Sequence, residues 1–167
     1  MPRTYSIPEL QEYADTMATR YGIDPKVFRA LVEIESGWNQ HAIGDGGASV
    51  GLGQIQAATA IDVGIPYEQI RADPLVNLEA SAKYLRQVTD QMGGLTADGL
   101  RAYNQGVAGA KAGRGYDYAA RVGATSDTTT IVDKPPGEWG WMAEAAMWII
   151  AVTAVGVGAF AAARKEL

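Results

Sequence analysis

The sequence predicts a mainly α-helical domain of about 120 residues, then a linker and one carboxy-terminal membrane-spanning helix. Three observations carry that expectation. Apolar residues recur at helical spacing between cap signals from Ser6 to about Val122. Within them, Ala30–Ala60 (ALVEIESGWNQHAIGDGGASVGLGQIQAATA) places one carboxylate, Glu35, at the end of an amphipathic helix and follows it with a glycine-rich loop. Finally, Ala145–Ala163 is a stretch of 19 residues without a charge.

Taken in order, Ser6 and Glu9 form a capping box with Pro8 inside the first turn. The helix they open is expected to end near Tyr21–Gly22, with Leu10, Ala14, Met17 and Tyr21 on one face. Asp24 reads as the N-cap of a second helix and Pro25 as its first residue. Phe28, Leu31 and Glu35 follow at i, i+3 and i+7, flanked by Val27 and Ile34, so Glu35 continues the apolar face while Glu33 faces water. A carboxyl group so placed is partly desolvated, which raises its pKa as a general acid near neutral pH requires. The same position also suits a helix-end cap or an arginine partner.

Residues 44–53 hold five glycines in ten, a composition that permits positive φ and close backbone approach to a ligand, or a plain surface connection. Helix is expected to resume near Gln54, with Ala57–Val63 a short helix ended by Gly64. Asp73-Pro74 caps the next, whose Leu78, Ala82, Leu85, Val88 and Met92 keep core spacing until Gly93-Gly94. Thr96 caps a helix carrying Leu100 and Tyr103, the latter also readable as a core aromatic. Tyr116, Asp117, Tyr118 and Arg121 open a last short helix. Residues 123–138, rich in Thr, Pro and Gly, read as a linker. The uncharged 19 residues beyond it, at about 1.5 Å each, nearly span a hydrocarbon core of about 30 Å. Trp139, Trp141 and Trp148 gather toward one end, as interfacial aromatics do, and Arg164-Lys165 close the other. The competing reading is a buried Ala-rich helix. Ala154, Gly158 and Ala162 form a small-residue ridge suited to helix–helix packing and so to a homo-oligomer.

Composition narrows the function. A net charge of −5 argues against a nucleic-acid partner. Cysteine is absent, so no disulfide staples the fold. The single His41 cannot build a zinc site alone, and neither metal nor cofactor is expected. The first residues, MPRTYSIPELQEY, lack the basic-then-apolar-then-small pattern of a cleaved leader.

Five ordered blocks share a pattern: Glu35-Ser36-Gly37-Trp38-Asn39; Gly47-Ala48 with Gly51-Leu52-Gly53-Gln54-Ile55; Ala58-Thr59-Ala60; Asn77-Leu78 before Tyr84-Leu85; and Ala102-Tyr103-Asn104-Gln105-Gly106. Together they resemble the soluble lytic transglycosylase family over about residues 16–122. The resemblance implies a lysozyme-like domain (1–122) that cleaves bacterial peptidoglycan, joined by the linker (123–138) to the membrane segment (139–167). It implies Glu35 as the catalytic group and Ser36, Ser49, Gln54, Ile55, Tyr103, Asn104 and Tyr118 as substrate contacts, with the Tyr103 hydroxyl holding Glu35. Gly44 replaces a usual serine and Gly53 a usual methionine, and the loop has one extra residue before Gly51. Both glycines are expected to remove side chains that touch glycan in relatives.

Most glycosidases use two carboxylates, and this pattern demands one. The resemblance implies that Glu35 acts twice and leaves a 1,6-anhydromuramoyl end. Asp45 is the loop's candidate for a second carboxylate. A wall-cutting domain beside a membrane segment resembles the virion-associated enzymes of bacteriophages, which act in the host periplasm during genome entry. A lysozyme-type hydrolase, a structural channel protein with a glycan-binding domain, and a cellular secretion or conjugation accessory enzyme are the alternatives.

Overall fold

The computed structural model describes residues 4–127 apart from Leu95. The chain divides into two compact units, residues 1–132 and 133–167, and the described residues all lie in the first. The expected membrane segment and most of the expected linker therefore lie outside the described residues. Among those described, no helix is long and apolar enough to cross a membrane.

Seven α-helices and one small hairpin make up the described unit: α1 (Ile7–Arg20), α2 (Pro25–Ser36), β1 (Ile43–Gly44), β2 (Ser49–Val50), α3 (Ala57–Val63), α4 (Tyr67–Ala72), α5 (Pro74–Gln91), α6 (Thr96–Lys111) and α7 (Tyr116–Thr125). Three of the expected cap signals operate, while Thr96 is itself the first residue of its helix. Ser6 and Glu9 form the reciprocal capping box, and the Asp24 and Asp73 carboxylates each accept a backbone N–H at 2.8 Å. These are the orphan donors that a helix start leaves unpaired. Gly37 and Gly64 end α2 and α3 in the left-handed conformation.

α5 is the central strut, packed against α1, α3, α4 and α6, while α7 closes over α2 and α6. Leu10, Met17, Phe28, Leu31, Leu78, Leu85, Leu100 and Val122 meet in the main core. A second cluster of Ile55, Val63, Ile70 and Ala80 seats α3 and α4 on α5.

Three local features depart from the sequence expectation. Helix resumes at Ala57, not near Gln54, because Ile55 pairs with Val50 in an antiparallel bridge that keeps Gln54 and Ile55 out of helix. The glycine-rich loop contains an antiparallel pair, Ile43 opposite Val50 and Gly44 opposite Ser49, with a short 3-10 turn at Asp45–Gly47. Two-residue strands carry no alternating pattern long enough to read. Helix α7 also runs on to Thr125, past the expected start of the linker at 123, because Gly123 is buried against the domain and Ser126 Oγ donates to its carbonyl.

Candidate active site

Glu35 is the penultimate residue of α2, one turn beyond the buried Leu31. The side chain is half-buried. Burial pushes its carboxyl above the ordinary value of 4.5, opposed by a hydrogen bond from Tyr118 and the charge of Arg121 and reinforced by the charge of Asp45. Desolvation is thus the dominant influence, as the apolar-face placement predicts.

The Tyr118 hydroxyl donates to Glu35 Oε1 at 2.5 Å. Tyr118 is buried, and its phenol is held far above the ordinary value by burial and by the Glu35 charge, so it remains a donor. The Arg121 guanidinium lies 5.9 Å from the Tyr118 ring centroid, one helical turn along α7. The sequence expectation assigned the hold on Glu35 to Tyr103. Tyr103 instead donates its hydroxyl to the Gly53 carbonyl at 2.8 Å, and its phenol is raised by burial and then by the nearby Glu35 charge. Both tyrosines therefore stand by the acid, but Tyr118 makes the contact. Replacing Tyr118 with Phe removes a donor that favours the Glu35 anion. Its pKa then rises, and any activity that needs protonated Glu35 keeps its alkaline limb to higher pH, with about tenfold loss at the optimum. A pH–rate profile identical to wild type contradicts that role.

The loop beside the acid is fastened from α5. Asn77 is fully buried; its Nδ2 donates to the Val50 carbonyl and its Oδ1 accepts from the Gly53 N–H, both at 2.9 Å. A Cβ on Gly51, whose φ is +75°, would lie 2.4 Å from Asn77 Nδ2, so glycine answers both the backbone conformation and the close approach. A Cβ at Gly53 would fall 1.9 Å from Ser81 Oγ and 2.9 Å from the Tyr103 hydroxyl. Gly44 is excluded from carrying one by Gln54 Oε1 at 2.2 Å. The two departures from the family pattern are therefore not simple gaps in a glycan surface. The space a side chain would take at 53 holds Ser81 and Tyr103, and at 44 it holds Gln54.

Other expected contacts divide. Gln54 is half-exposed at φ +50° and donates Nε2 to the Gly51 carbonyl at 2.9 Å. Ser36 Oγ turns back to the Val32 carbonyl at 3.2 Å. Asn104 is exposed, where α6 breaks at Gly106 (φ 69°, ψ 159°), and accepts from Gln105 Nε2 at 2.7 Å. Ser49 and Ile55, expected as substrate contacts, are buried. Ser49 is 2 % exposed and donates to Asp45 Oδ2, and Ile55, equally buried, packs into the second apolar cluster. Neither side chain presents itself to a ligand.

Asp45 adopts φ +50° and is braced by Ser49 Oγ at 2.5 Å and Gln56 Nε2 at 3.3 Å. It supplies a fixed negative charge near Glu35 without touching it. Asn77, Ser81 and Arg121 have no role in the sequence expectation. The first two were signalled by polar residues at i, i+4 beside an apolar stripe, and Arg121 by its i, i+3 spacing from Tyr118. No group of three or more His, Cys, Asp or Glu side chains converges on a metal site among the described residues.

A half-buried carboxyl with an elevated proton affinity, one phenol donor and a braced glycine loop can donate a proton to a leaving oxygen and take one back. Comparison with solved structures gives the same architecture. The lytic transglycosylase Slt of Pseudomonas aeruginosa, in an inactive mutant form, matches 71% of this chain with a TM-score of 0.52 and 22% identity. The 70 kDa soluble lytic transglycosylase Slt70 of Escherichia coli matches 75% with a TM-score of 0.53 and 23% identity. The chain spans only 22% of the length of either protein. In sequence, the transglycosylase SLT domain matches residues 12–122, from within α1 to the body of α7, enclosing Glu35, the glycine loop, Asn77, Tyr103 and Tyr118. The chain belongs to the transglycosylase SLT domain family.

Proposed function

We propose that this chain is a peptidoglycan lytic transglycosylase that cleaves the β-1,4 bond from N-acetylmuramic acid to N-acetylglucosamine, with Glu35 as both acid and base. The observation that carries the reading is the half-buried Glu35 carboxyl, raised by desolvation and touched by Tyr118. Membership of the family supports it. So does the naming of both structural neighbours as lytic transglycosylases, one of them inactivated by a glutamate-to-glutamine exchange.

In the first step protonated Glu35 gives its proton to the glycosidic oxygen as the bond from muramoyl C1 breaks. The leaving N-acetylglucosamine departs as an alcohol, and positive charge develops at C1. In the second step the Glu35 carboxylate takes the proton of the muramoyl C6 hydroxyl as that oxygen bonds to C1. Glu35 ends protonated, ready for the next cycle, and no water is consumed. The attacking hydroxyl belongs to the reacting sugar, so its effective concentration is high and a second catalytic carboxylate can be dispensed with. The substrate's N-acetyl group assists at C1. Tyr118 favours the anionic form that the second step needs, while burial favours the acid that the first step needs. Gln54 and Asn104 are the amides that meet sugar acetamido groups.

Chemical reduction of the digest tests the product. Anhydro ends carry no reducing carbon, so borohydride leaves them unchanged. Muramoyl ends converted to the alditol would assign the chain to the lysozyme-type hydrolases instead.

The site of action belongs to the same proposal. The chain acts on a host wall from within a phage particle, at genome entry, with residues 145–163 anchored in a membrane. What supports this is the pairing of a wall-cutting domain with 19 uncharged residues closed by Arg164-Lys165. Presence of the protein in purified particles is the expected result; its confinement to lysed cells, absent from particles, would refute it.

A further inference from the structure

Arg101 is a cation on α6, 6 % exposed, that the proposed chemistry does not use. Its guanidinium is fully engaged in one region. Nε donates to the Arg114 carbonyl at 3.0 Å, Nη1 to Asp98 Oδ1 at 2.5 Å, and Nη2 to the Ala110 carbonyl. Its face lies against the Tyr116 ring, 3.8 Å from the centroid. Ala110 and Arg114 bound the turn from α6 into α7, and Tyr116 is the first residue of α7. Helix α7 has no side-chain cap: its N-cap is Gly115, in the left-handed conformation at φ +87°. A Cβ there would sit 3.1 Å from both Cα and the carbonyl oxygen of Arg101. The start of α7 is thus located from α6, by Arg101, where α1, α2 and α5 use a side-chain cap.

That helix carries the hydroxyl that meets Glu35, two residues beyond Tyr116. We propose that Arg101 is a positioning residue for the acid: by gripping the α6–α7 turn and the Tyr116 ring, it fixes where Tyr118 delivers its hydroxyl to Glu35. A flat guanidinium bonds two carbonyls and a carboxylate in one plane while stacking on an aromatic face. A lysine ammonium, a point charge on a flexible stem, can hold part of this set but not all of it. The Arg101→Lys change therefore keeps the buried charge opposite Asp98 and loosens the turn.

The inference rests on the reading of Glu35 as the acid, and its test needs no turnover. Glu35 faces Tyr118 and Arg121 from α7, Tyr103 from α6 and Asp45 from the hairpin loop. Both α7 groups favour its anion, while the burial that α7 helps to provide favours the acid, so slackening α7 moves the Glu35 pKa away from its wild-type value. The experiment is a carbon-13 NMR titration of the Glu35 carboxyl in wild type, Arg101→Lys, Tyr118→Phe and the double variant. Arg101→Lys is expected to move the Glu35 titration by about half a unit from wild type. Tyr118→Phe is expected to shift Glu35 less in the Arg101→Lys background than in wild type, because coupled residues are non-additive. A wild-type titration in folded Arg101→Lys, or an undiminished Tyr118→Phe effect in the double variant, overturns the proposal. If Arg101→Lys does not fold, Gly115→Ala, which strains the same turn against Arg101, decides by the same criterion: a shifted titration supports the proposal and an unmoved titration overturns it. A wall digest without anhydro ends would sink the proposed reaction and leave this result standing.

Discussion

Glu35→Gln is expected to reduce wall cleavage by about a thousandfold or more, because a general acid alone contributes about 10² to 10⁴ and this residue also serves as the base. The amide keeps the shape of the carboxyl and can still accept from Tyr118, but it has no proton to give and none to take. The fold should survive the change, with a favourable sign. Glu35 has a pKa raised above 4.5 in the folded chain. The stability it contributes is complete below that ordinary value and is lost as pH rises through the raised value. At neutral pH a neutral amide is therefore at least as stable as the partly desolvated wild-type group. Zymography beside a thermal melt checks both halves. Undiminished cleavage by a folded Glu35→Gln protein is incompatible with the mechanism.

Asn77→Ala is expected to have the largest effect on stability. The side chain is fully buried and closes the turn from Val50 to Gly53 with two hydrogen bonds of 2.9 Å. Truncation leaves the buried Gly53 N–H unpaired, leaves the Val50 carbonyl with the Ile55 N–H alone, and opens a small void. The unmet N–H costs about 1–3 kcal/mol and the lost second bond and the void add to it, so about 3 kcal/mol in total is expected, or about 10 °C in Tm for a domain of this size. Activity should fall further than stability explains, since the same turn carries Gly53, whose carbonyl receives the Tyr103 hydroxyl, and Gln54. A melting temperature unchanged from wild type would show that the clamp is not structural.

Much of the fold was legible because helix starts in this chain are written with strong local signals. Ser6 with Glu9, Asp24 with Pro25, and Asp73 with Pro74 each combine a cap with a residue that suits the first turn, and the structure uses all three. The position of Glu35 was legible for a related reason: helical periodicity with Phe28 and Leu31 fixes its direction, and direction fixes desolvation. What stayed hidden depends on contacts between distant segments. The β1–β2 pair is two residues per strand, set by Gly51, Asn77 and the Val50–Ile55 bridge, none of which leaves a periodic trace. Helix α4, six residues after Pro66, is too short to show a stripe.

The site shows the same division. Glu35 follows from one helix, whereas its partner required knowing that α7 folds back over α2. Tyr103 and Tyr118 are equally plausible phenols in sequence, and only tertiary packing assigns Tyr118 to Glu35 and Tyr103 to Gly53. The burial of Ser49 and Ile55 was not legible because a motif records which residue occurs and not which way it points. Ser49 and its neighbour Val50 are both buried, and Ile55 is drawn inward by its bridge to Val50.

The glycines of the loop also change meaning. Gly44 and Gly53 read as missing glycan contacts in sequence. In the structure they are positions where Gln54, Ser81 and Tyr103 crowd in. The loop is therefore shaped by its neighbours, and a side chain restored at either position would have to displace them.

The central claim is that one half-buried glutamate, acting twice, cuts the glycan without water. Digestion of purified peptidoglycan by the full chain in heavy-oxygen water tests it most directly. Muramoyl ends one water lighter than hydrolytic products and carrying no heavy oxygen are the expected result. Ends at the hydrolytic mass with heavy oxygen at C1 would contradict it.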